Sequence, residues 1–180
     1  SISMTPYLDG DVSNKDSNYD EKFWLEVFTE VTLDDAALTI KTKKLDFHLT
    51  SVMAYSLLKN AEPLTVTPDI IYQDKYVAHQ LQIDVQENDQ IVLYKYVANV
   101  TSRDHGCDHL LTVGRTILKS AMELGYEELL KDHLTAWSEK WSESDIVIEG
   151  DIAAQQAIRF NIFQLNQTYT GEDDRPNIGP

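Results

Sequence analysis

Two short groups of residues in this chain could carry chemistry. In the first, His105, Cys107 and His109 alternate between a predicted strand and a predicted helix. Imidazole and thiolate groups bind zinc, and alternate strand residues point to one side. A closed zinc site needs a fourth ligand, and the sequence has neither a CxxC pair nor a second histidine pair. We therefore predict no metal here, only a polar junction with a buried thiol.

A thiol nucleophile at Cys107 is also disfavoured. Such a nucleophile needs a base and an orienting group held in a defined geometry, which sequence neighbours on a turn rarely provide. The sequence also contains no GxGxxG, Walker, GxSxG or HExxH motif.

The second group is the run Glu172, Asp173 and Asp174, which is followed by Arg175. Neighbouring carboxyl groups raise one another's pKa, and glycoside cleavage requires a protonated carboxylic acid. These residues lie in a hydrophilic segment where solvent would screen them and Arg175 could pair with one of them. An exposed loop is therefore the favoured interpretation.

Acidic residues are also concentrated near the start of the chain. Between Ser1 and Asp35 there are nine Asp or Glu residues and only two lysines. Asp9, Asp11, Ser13 and Asn14 offer oxygen ligands for calcium, but they lack the EF-hand order and its final bidentate glutamate. We interpret this stretch as a solvated acidic loop.

The composition excludes several classes of partner. A net charge of −15 repels nucleic acid and anionic membrane surfaces. The single cysteine rules out a disulfide framework within the chain, and no apolar run is long enough to cross a bilayer. We expect a cytoplasmic protein, and because both termini have the character of interior sequence, we expect an internal piece of a longer one.

Strand-like alternation dominates the first hundred residues. In Tyr76–Val85, Val77, His79, Leu81, Ile83 and Val85 form one face. A turn at 87–90 and an apolar run at 91–100 then predict an antiparallel hairpin. Further predicted strands have apolar faces formed by Phe23, Leu25, Val27, Val31 and Leu33, and by Leu49, Met53, Tyr55 and Leu57. Repeated strands joined by turns predict an antiparallel β-sandwich.

Helical spacing begins near residue 110. Leu110, Ile117, Ala121 and Leu124 form one stripe, ended by Gly125, and Leu130, Leu134, Trp137 and Trp141 form a second. A third helix should start after Asp151 as N-cap and bury Ile158, Ile162 and Leu165. We predict three parts: a partial β-sandwich over 1–102, a helical linker over 103–144, and the start of a further domain over 145–180.

Several motifs resemble glycoside hydrolase family 65, in the family's own order along the chain. They are Thr5–Val12 with Asn18–Trp24, Ala136–Trp141, Ala157–Thr168, and Gly171–Pro180. The resemblance implies that the segment 145–180 opens a catalytic (α/α)6 barrel, with Glu172–Arg175 in a loop near its entrance. It also implies that the general acid lies beyond Pro180, so no catalytic residue is assigned within these 180 residues.

The activity implied by the resemblance is inverting phosphorolysis of a disaccharide by a bacterial enzyme. Maltose and inorganic phosphate would give glucose and β-glucose 1-phosphate, with phosphate as co-substrate and no other cofactor. The family also implies a homodimer. Two alternatives stay open: a phosphorylase for trehalose or kojibiose, or a non-catalytic carbohydrate-binding sandwich with Trp24 or Tyr7 as an exposed sugar platform.

Overall fold

The computed structural model describes residues 1–13 and 22–168, and it divides the chain into two compact units between Tyr126 and Glu127. Strands precede helices, as the change in periodicity predicts. The elements are β1 (Ile2–Met4), β2 (Tyr7–Asp9), β3 (Trp24–Val31), β4 (Ala36–Thr42), β5 (His48–Lys59), β6 (Glu62–Pro63), β7 (Asp69–Gln73), β8 (Tyr76–Ile83), β9 (Ile91–Thr101), a 3₁₀ turn (Cys107–His109), α1 (Leu110–Ser144) and α2 (Ile152–Thr168).

The strands form two antiparallel sheets. In the four-stranded sheet β8 is central, with β1 and β2 following each other along one edge and β7 along the other. In the five-stranded sheet β5 is central. It pairs with β9 along one edge, and with β4 and β6 along the other, while β3 extends the sheet beyond β4.

The predicted hairpin between Tyr76–Val85 and the strand at 91–100 is wrong. β8 belongs to the four-stranded sheet, whereas β9 pairs with β5 in the other sheet. The loop between Ile83 and Ile91 therefore carries the chain from one layer to the other. Alternation identifies a strand with one buried face, but it does not identify the strand's hydrogen-bonding partner.

Apolar side chains from the two sheets meet between them, which confirms the predicted sandwich. The predicted inner face of β8 is buried, from Val77 to Ile83, and the odd-numbered face of β5 meets it. One cluster contains Leu8, Leu38, Ile40, Met53 and Val77, and another contains Leu57, Leu81 and Ile83.

The opposite face of the five-stranded sheet packs against the first half of α1. Val52, Ala54 and Ala98 form a cluster with Leu118 of the helix. Gly114 lies at the closest approach, where an added Cβ would stand 2.8 Å from Val52 Cγ2. The apolar stripe predicted for this helix is therefore correct only at Leu110. Gly114 and Leu118 are buried with it, while the predicted Ile117 and Leu124 are exposed.

The predicted inner face of β3 is also largely wrong. Phe23, Leu25 and Val27 are exposed, whereas Trp24 and Val31 pack against the core. Glu26 pairs with Ile40 and Phe28 pairs with Thr39, so Val27 is an extra residue in a β-bulge. The extra residue shifts the alternation by one position, so a single apolar phase cannot describe the strand.

The helices begin and break where the sequence predicts. Gly125 has φ 78° and ψ 167° and interrupts α1. At α2, the backbone amide of Ala154 donates to Asp151 Oδ1 at 3.0 Å, as expected for an N-cap. Within the second unit, Trp137 packs against Trp141 and Phe163, which supports a packing role for these tryptophans. Ile162 is buried, but Leu165 is exposed, contrary to prediction.

Candidate functional site

The histidine and cysteine cluster does not form a site. His105, Cys107 and His109 are all exposed, and the last two lie in a 3₁₀ turn rather than on one face of a strand. The predicted burial of the thiol is therefore wrong. In the part of the chain that the structure describes, no three His, Cys, Asp or Glu side chains are grouped closely enough to hold a metal ion.

Of the two acidic segments, the structure describes part of the first and none of the second. Glu172, Asp173, Asp174 and Arg175 lie outside the described residues, so their role as a barrel-entrance loop stays a prediction. In the first acidic segment, the Asp11 carboxylate pairs with Lys22 and with Lys75, while Asp9 Oδ1 accepts a hydrogen bond from the Asp11 amide. Lysines therefore occupy both Asp11 carboxylate oxygens that a calcium ion would need, while Asn14, another candidate ligand, lies outside the described residues.

Arg115 of α1 is at the centre of a polar cluster in the first unit. Its Nε donates to Asp35 Oδ2 at 2.7 Å, and its Nη2 donates to Glu30 Oε1 at 2.8 Å. Asp35 closes the turn between β3 and β4, where Thr32 Oγ1 donates to Asp35 Oδ1 at 2.9 Å. The guanidinium thus ties the helix to the end of β3 and to the turn.

Electrostatics in this cluster follow from these contacts. Burial acts to raise the pKa of Asp35, but hydrogen bonds from Arg115 and Thr32 outweigh it, so the pKa is lowered. The same carboxylate, together with Glu30, raises the pKa of Arg115. Both groups therefore stay charged near neutral pH, which suits a structural clamp and not proton transfer.

A shallow groove of about 460 Å³ adjoins the clamp. Its floor is apolar and its rim carries both signs of charge. It is lined by Asp34, Asp35, Ala54, Arg115, Leu118, Lys119, Met122 and Glu123. Sequence analysis missed this arrangement because its members are up to 89 residues apart, and a lone arginine within a helical pattern gives no local signal.

Six of the described carboxyl groups have pKa values shifted away from what a glycosidic general acid needs. Such an acid must remain protonated at working pH, which requires a raised pKa. In these six carboxyl groups the pKa is instead lowered below its ordinary value. The affected residues are Asp11, Glu26, Asp35, Asp46, Asp89 and Asp145.

The two candidate sugar platforms are both partly engaged within the fold. Trp24 is half-buried against the core between the sheets. Tyr7 is exposed, but its ring stacks on Tyr76 with centroids 5.4 Å apart, and the Lys95 ammonium lies 5.4 Å from its centroid. Lys95 Nζ also donates to the Tyr7 carbonyl at 2.6 Å. These contacts indicate that Tyr7 helps close the edge of the sandwich.

Taken together, these features define a structural module: a two-layer sandwich with a helix clamped to its outer face. Within the described residues, neither helix has an apolar stretch long enough to cross a bilayer. Comparison with known proteins identifies the module. Residues 1–140 match the sequence profile of the glycosyl hydrolase family 65, N-terminal domain. The chain belongs to this family.

The relatives that match over nearly the whole chain include disaccharide phosphorylases. The chain is 36% identical over 179 residues to a maltose phosphorylase of Bacillus subtilis (strain 168), covering 99% of this chain and 23% of that protein. It is 26% identical over 185 residues to an alpha,alpha-trehalose phosphorylase of Thermoanaerobacter brockii, covering 98% of this chain and again 23% of the relative. The chain thus spans about a quarter of the length of these relatives.

A solved structure supports the same assignment. It was assigned as a kojibiose phosphorylase from the human microbiome, and it superposes on the chain with a TM-score of 0.78 at 25% identity. The match covers 95% of this chain and 22% of the other.

Proposed function

We propose that this chain is a non-catalytic scaffold of a longer bacterial, cytoplasmic phosphorylase that cleaves maltose with inorganic phosphate. The observation that carries the scaffold role is the extent of the match: residues 1–140 match the family's N-terminal domain, and the chain spans 23% of the maltose phosphorylase. The lowered pKa values of six described carboxyl groups agree with this role. The choice of maltose is supported by the 36% identity that extends over 99% of the chain.

In the proposed reaction, a phosphate oxygen attacks the anomeric carbon as the glycosidic carbon–oxygen bond breaks. A general acid protonates the departing sugar oxygen, so glucose leaves with the proton and β-glucose 1-phosphate forms with inversion. Phosphate takes the place of the water and the base carboxylate of an inverting hydrolase, and no further cofactor is needed. The proposed acid lies beyond Pro180, in a barrel that begins in the segment 145–180.

Within that enzyme, the proposed parts are the sandwich over 1–102, the linker over 103–144 and the barrel start over 145–180. Glu172–Arg175 would lie in a loop near the barrel entrance. The functional unit is proposed to be a homodimer, whose formation light scattering of the longer protein would test.

Kojibiose is the second candidate substrate, supported by the superposition with a TM-score of 0.78, and trehalose is the third. To separate them, the longer protein is incubated with each disaccharide, with and without phosphate. Released glucose is measured enzymatically, and the sugar phosphate is assigned by proton NMR. We expect phosphate-dependent release that is fastest with maltose, and the β anomer as product.

Each other outcome of this assay excludes part of the proposal. Glucose release without phosphate would indicate a hydrolase, and the α anomer would indicate retention. Faster turnover of kojibiose or trehalose would reassign the substrate. Calorimetry of the 180-residue chain with maltose addresses the carbohydrate-binding alternative: we expect no binding, and binding abolished by Tyr7→Ala would favour the alternative.

A further inference from the structure

A completely buried histidine lies between the two sheets. His79 is on the inner face of β8, with a relative exposure of 0%, beside Tyr55 of β5. Its backbone amide donates to the Pro6 carbonyl, so the strand is fixed at this position. The sequence pattern assigns His79 only a place in an apolar face, where leucine or isoleucine would serve for packing alone.

The imidazole makes one hydrogen bond, which defines its tautomer. Nε2 lies 2.8 Å from the Thr32 carbonyl oxygen. A carbonyl only accepts, so Nε2 carries the proton and Nδ1 carries the lone pair. Within the described chain, Nδ1 is buried and has no hydrogen-bond partner, and the same is true of the Tyr55 hydroxyl.

The Thr32 carbonyl that accepts this hydrogen bond lies in the same turn as Asp35, which pairs with Arg115. Thr32 and Asp35 close this turn, with the Thr32 amide donating to the Asp35 carbonyl at 2.9 Å. Asp35 in turn accepts two hydrogen bonds from Arg115 of α1. A continuous path of hydrogen bonds therefore runs from the centre of the sandwich through the turn to the helix.

We propose that His79 is an acid-sensitive latch, whose protonation at Nδ1 releases the turn at 32–35 and with it the ion pair between Asp35 and Arg115. Protonation would place a charge in the core and a new N–H donor where the described residues offer no acceptor. Burying an unpaired charge is costly, so opening the adjacent turn to water becomes the favourable response. The turn is the part that gives way because it carries the carbonyl that Nε2 contacts, and its apolar residue Leu33 is 57% exposed.

The charged and titratable groups around His79 act in opposite directions. Asp34 and Asp35 of the turn favour the imidazolium, while Arg115 neutralises Asp35 and Tyr55 presents an uncharged hydroxyl. Burial is the largest effect and lowers the pKa of His79, in spite of the Thr32 carbonyl and the two aspartates. The unfolded or opened state therefore binds a proton more readily than the closed state.

The direction of the pH dependence follows from this difference. A histidine pKa below the ordinary value of about 6.5 contributes stability that is complete above that pH and is lost as the pH falls through it. A single proton changes the opening equilibrium by at most about tenfold per pH unit. The expected window therefore begins near pH 6.5 and extends downward to the pKa of the buried histidine.

The test uses hydrogen exchange of the 180-residue chain from pH 7.5 to 5.0, corrected for intrinsic exchange rates. We expect peptides from 32–35 to open up to about tenfold more per pH unit below 6.5, before the amides of α1, β5 and β8 do so. His79→Gln keeps a donor for the Thr32 carbonyl and cannot titrate. In this variant the opening of residues 32–35 should therefore not change with pH. His105→Gln, at an exposed site, should behave as the wild type.

Three results would overturn the latch. They are no additional opening of the turn at low pH, equal opening throughout both sheets, or a pH dependence of opening in His79→Gln that equals that of the wild type. If that variant does not fold, NMR titration of the wild-type histidines decides the question. A His79 ring that titrates at or above about pH 6.5 would contradict the proposal, and one that titrates below it would support the latch.

Discussion

The sandwich and the helical unit bury their apolar residues to very different extents. In the first unit, three clusters of buried residues fill the space between the sheets and beneath α1. In the described part of the second unit, residues 127–168, only Ile162 is buried, while Leu134, Phe160 and Leu165 are more than half exposed. The first unit thus has a core of its own, and the second has an apolar contact centred on Trp137.

The difference shows where the stability of the chain resides. Buried apolar area supplies most of the favourable free energy of folding, and a helical pair with one small contact gains little from it. Sequence patterns alone suggest apolar stripes of similar quality in both units. Only the structure shows that one set is buried and the other is largely exposed.

Truncating a leucine in each unit should give the largest contrast. Leu81→Ala removes a fully buried side chain and should lower the free energy of unfolding by about 3 kcal/mol. Leu165→Ala removes a side chain that is 63% exposed and should change it by less than about 0.5 kcal/mol. Urea denaturation monitors both variants. Equal losses of unfolding free energy in the two variants would show that the second unit also has a stabilising apolar core.

Breaking the arginine clamp should have a moderate, pH-dependent effect. Arg115→Ala leaves Asp35 and Glu30 without their partner and should cost about 1 kcal/mol at neutral pH, a figure that already allows for solvent screening. Because the folded-state pKa of Asp35 is lowered, the clamp stabilises the protein above about pH 4 and its contribution is lost as the pH falls further.

Urea titrations at several pH values measure this contribution, with Lys131→Ala as control, since Lys131 pairs with Glu128 on an exposed helix surface. The control should cost less than about 0.5 kcal/mol. An Arg115→Ala effect that does not decrease at acid pH would show that the ion pair with Asp35 is not its cause.

The smallest expected effect is local to the second unit. Asp151→Ala removes the acceptor for the Ala154 amide and should destabilise α2 by about 0.5 kcal/mol, while leaving the sandwich unchanged. Hydrogen exchange resolves this, because only amides at the start of α2 should exchange faster. Asp151→Asn retains a side-chain oxygen and serves as control. Faster exchange in β5 or β8 would mean that the two units are energetically linked.

The sequence predicted the elements better than their arrangement. Alternation in β8 and the cap at Asp151 are local signals, and both predictions are confirmed. The pairing of β9 with β5 and the bulge at Val27 depend on neighbouring strands, and they leave no mark in a single segment. The contact face of α1 was missed because its central residue is Gly114, which a search for apolar side chains passes over.

The candidate site residues also show that local sequence signals and long-range contacts differ in how well they can be predicted. His105, Cys107 and His109 attracted attention as neighbours in sequence, yet they are exposed and ungrouped. The clamp between Asp35 and Arg115 joins residues 80 positions apart, which only the fold brings together. The resemblance in short motifs located the family correctly, since the matched profile covers residues 1–140.

The central proposal, that these 180 residues provide a fold and not the chemistry, is tested most directly by an activity assay of the chain itself. The purified 180-residue chain and the longer protein are compared at equal molar concentration, with maltose and phosphate, by coupled glucose detection. The proposal predicts phosphate-dependent turnover by the longer protein and none by the chain above the buffer control. Turnover by the chain, retained after further purification, would contradict it and place the general acid within residues 1–180.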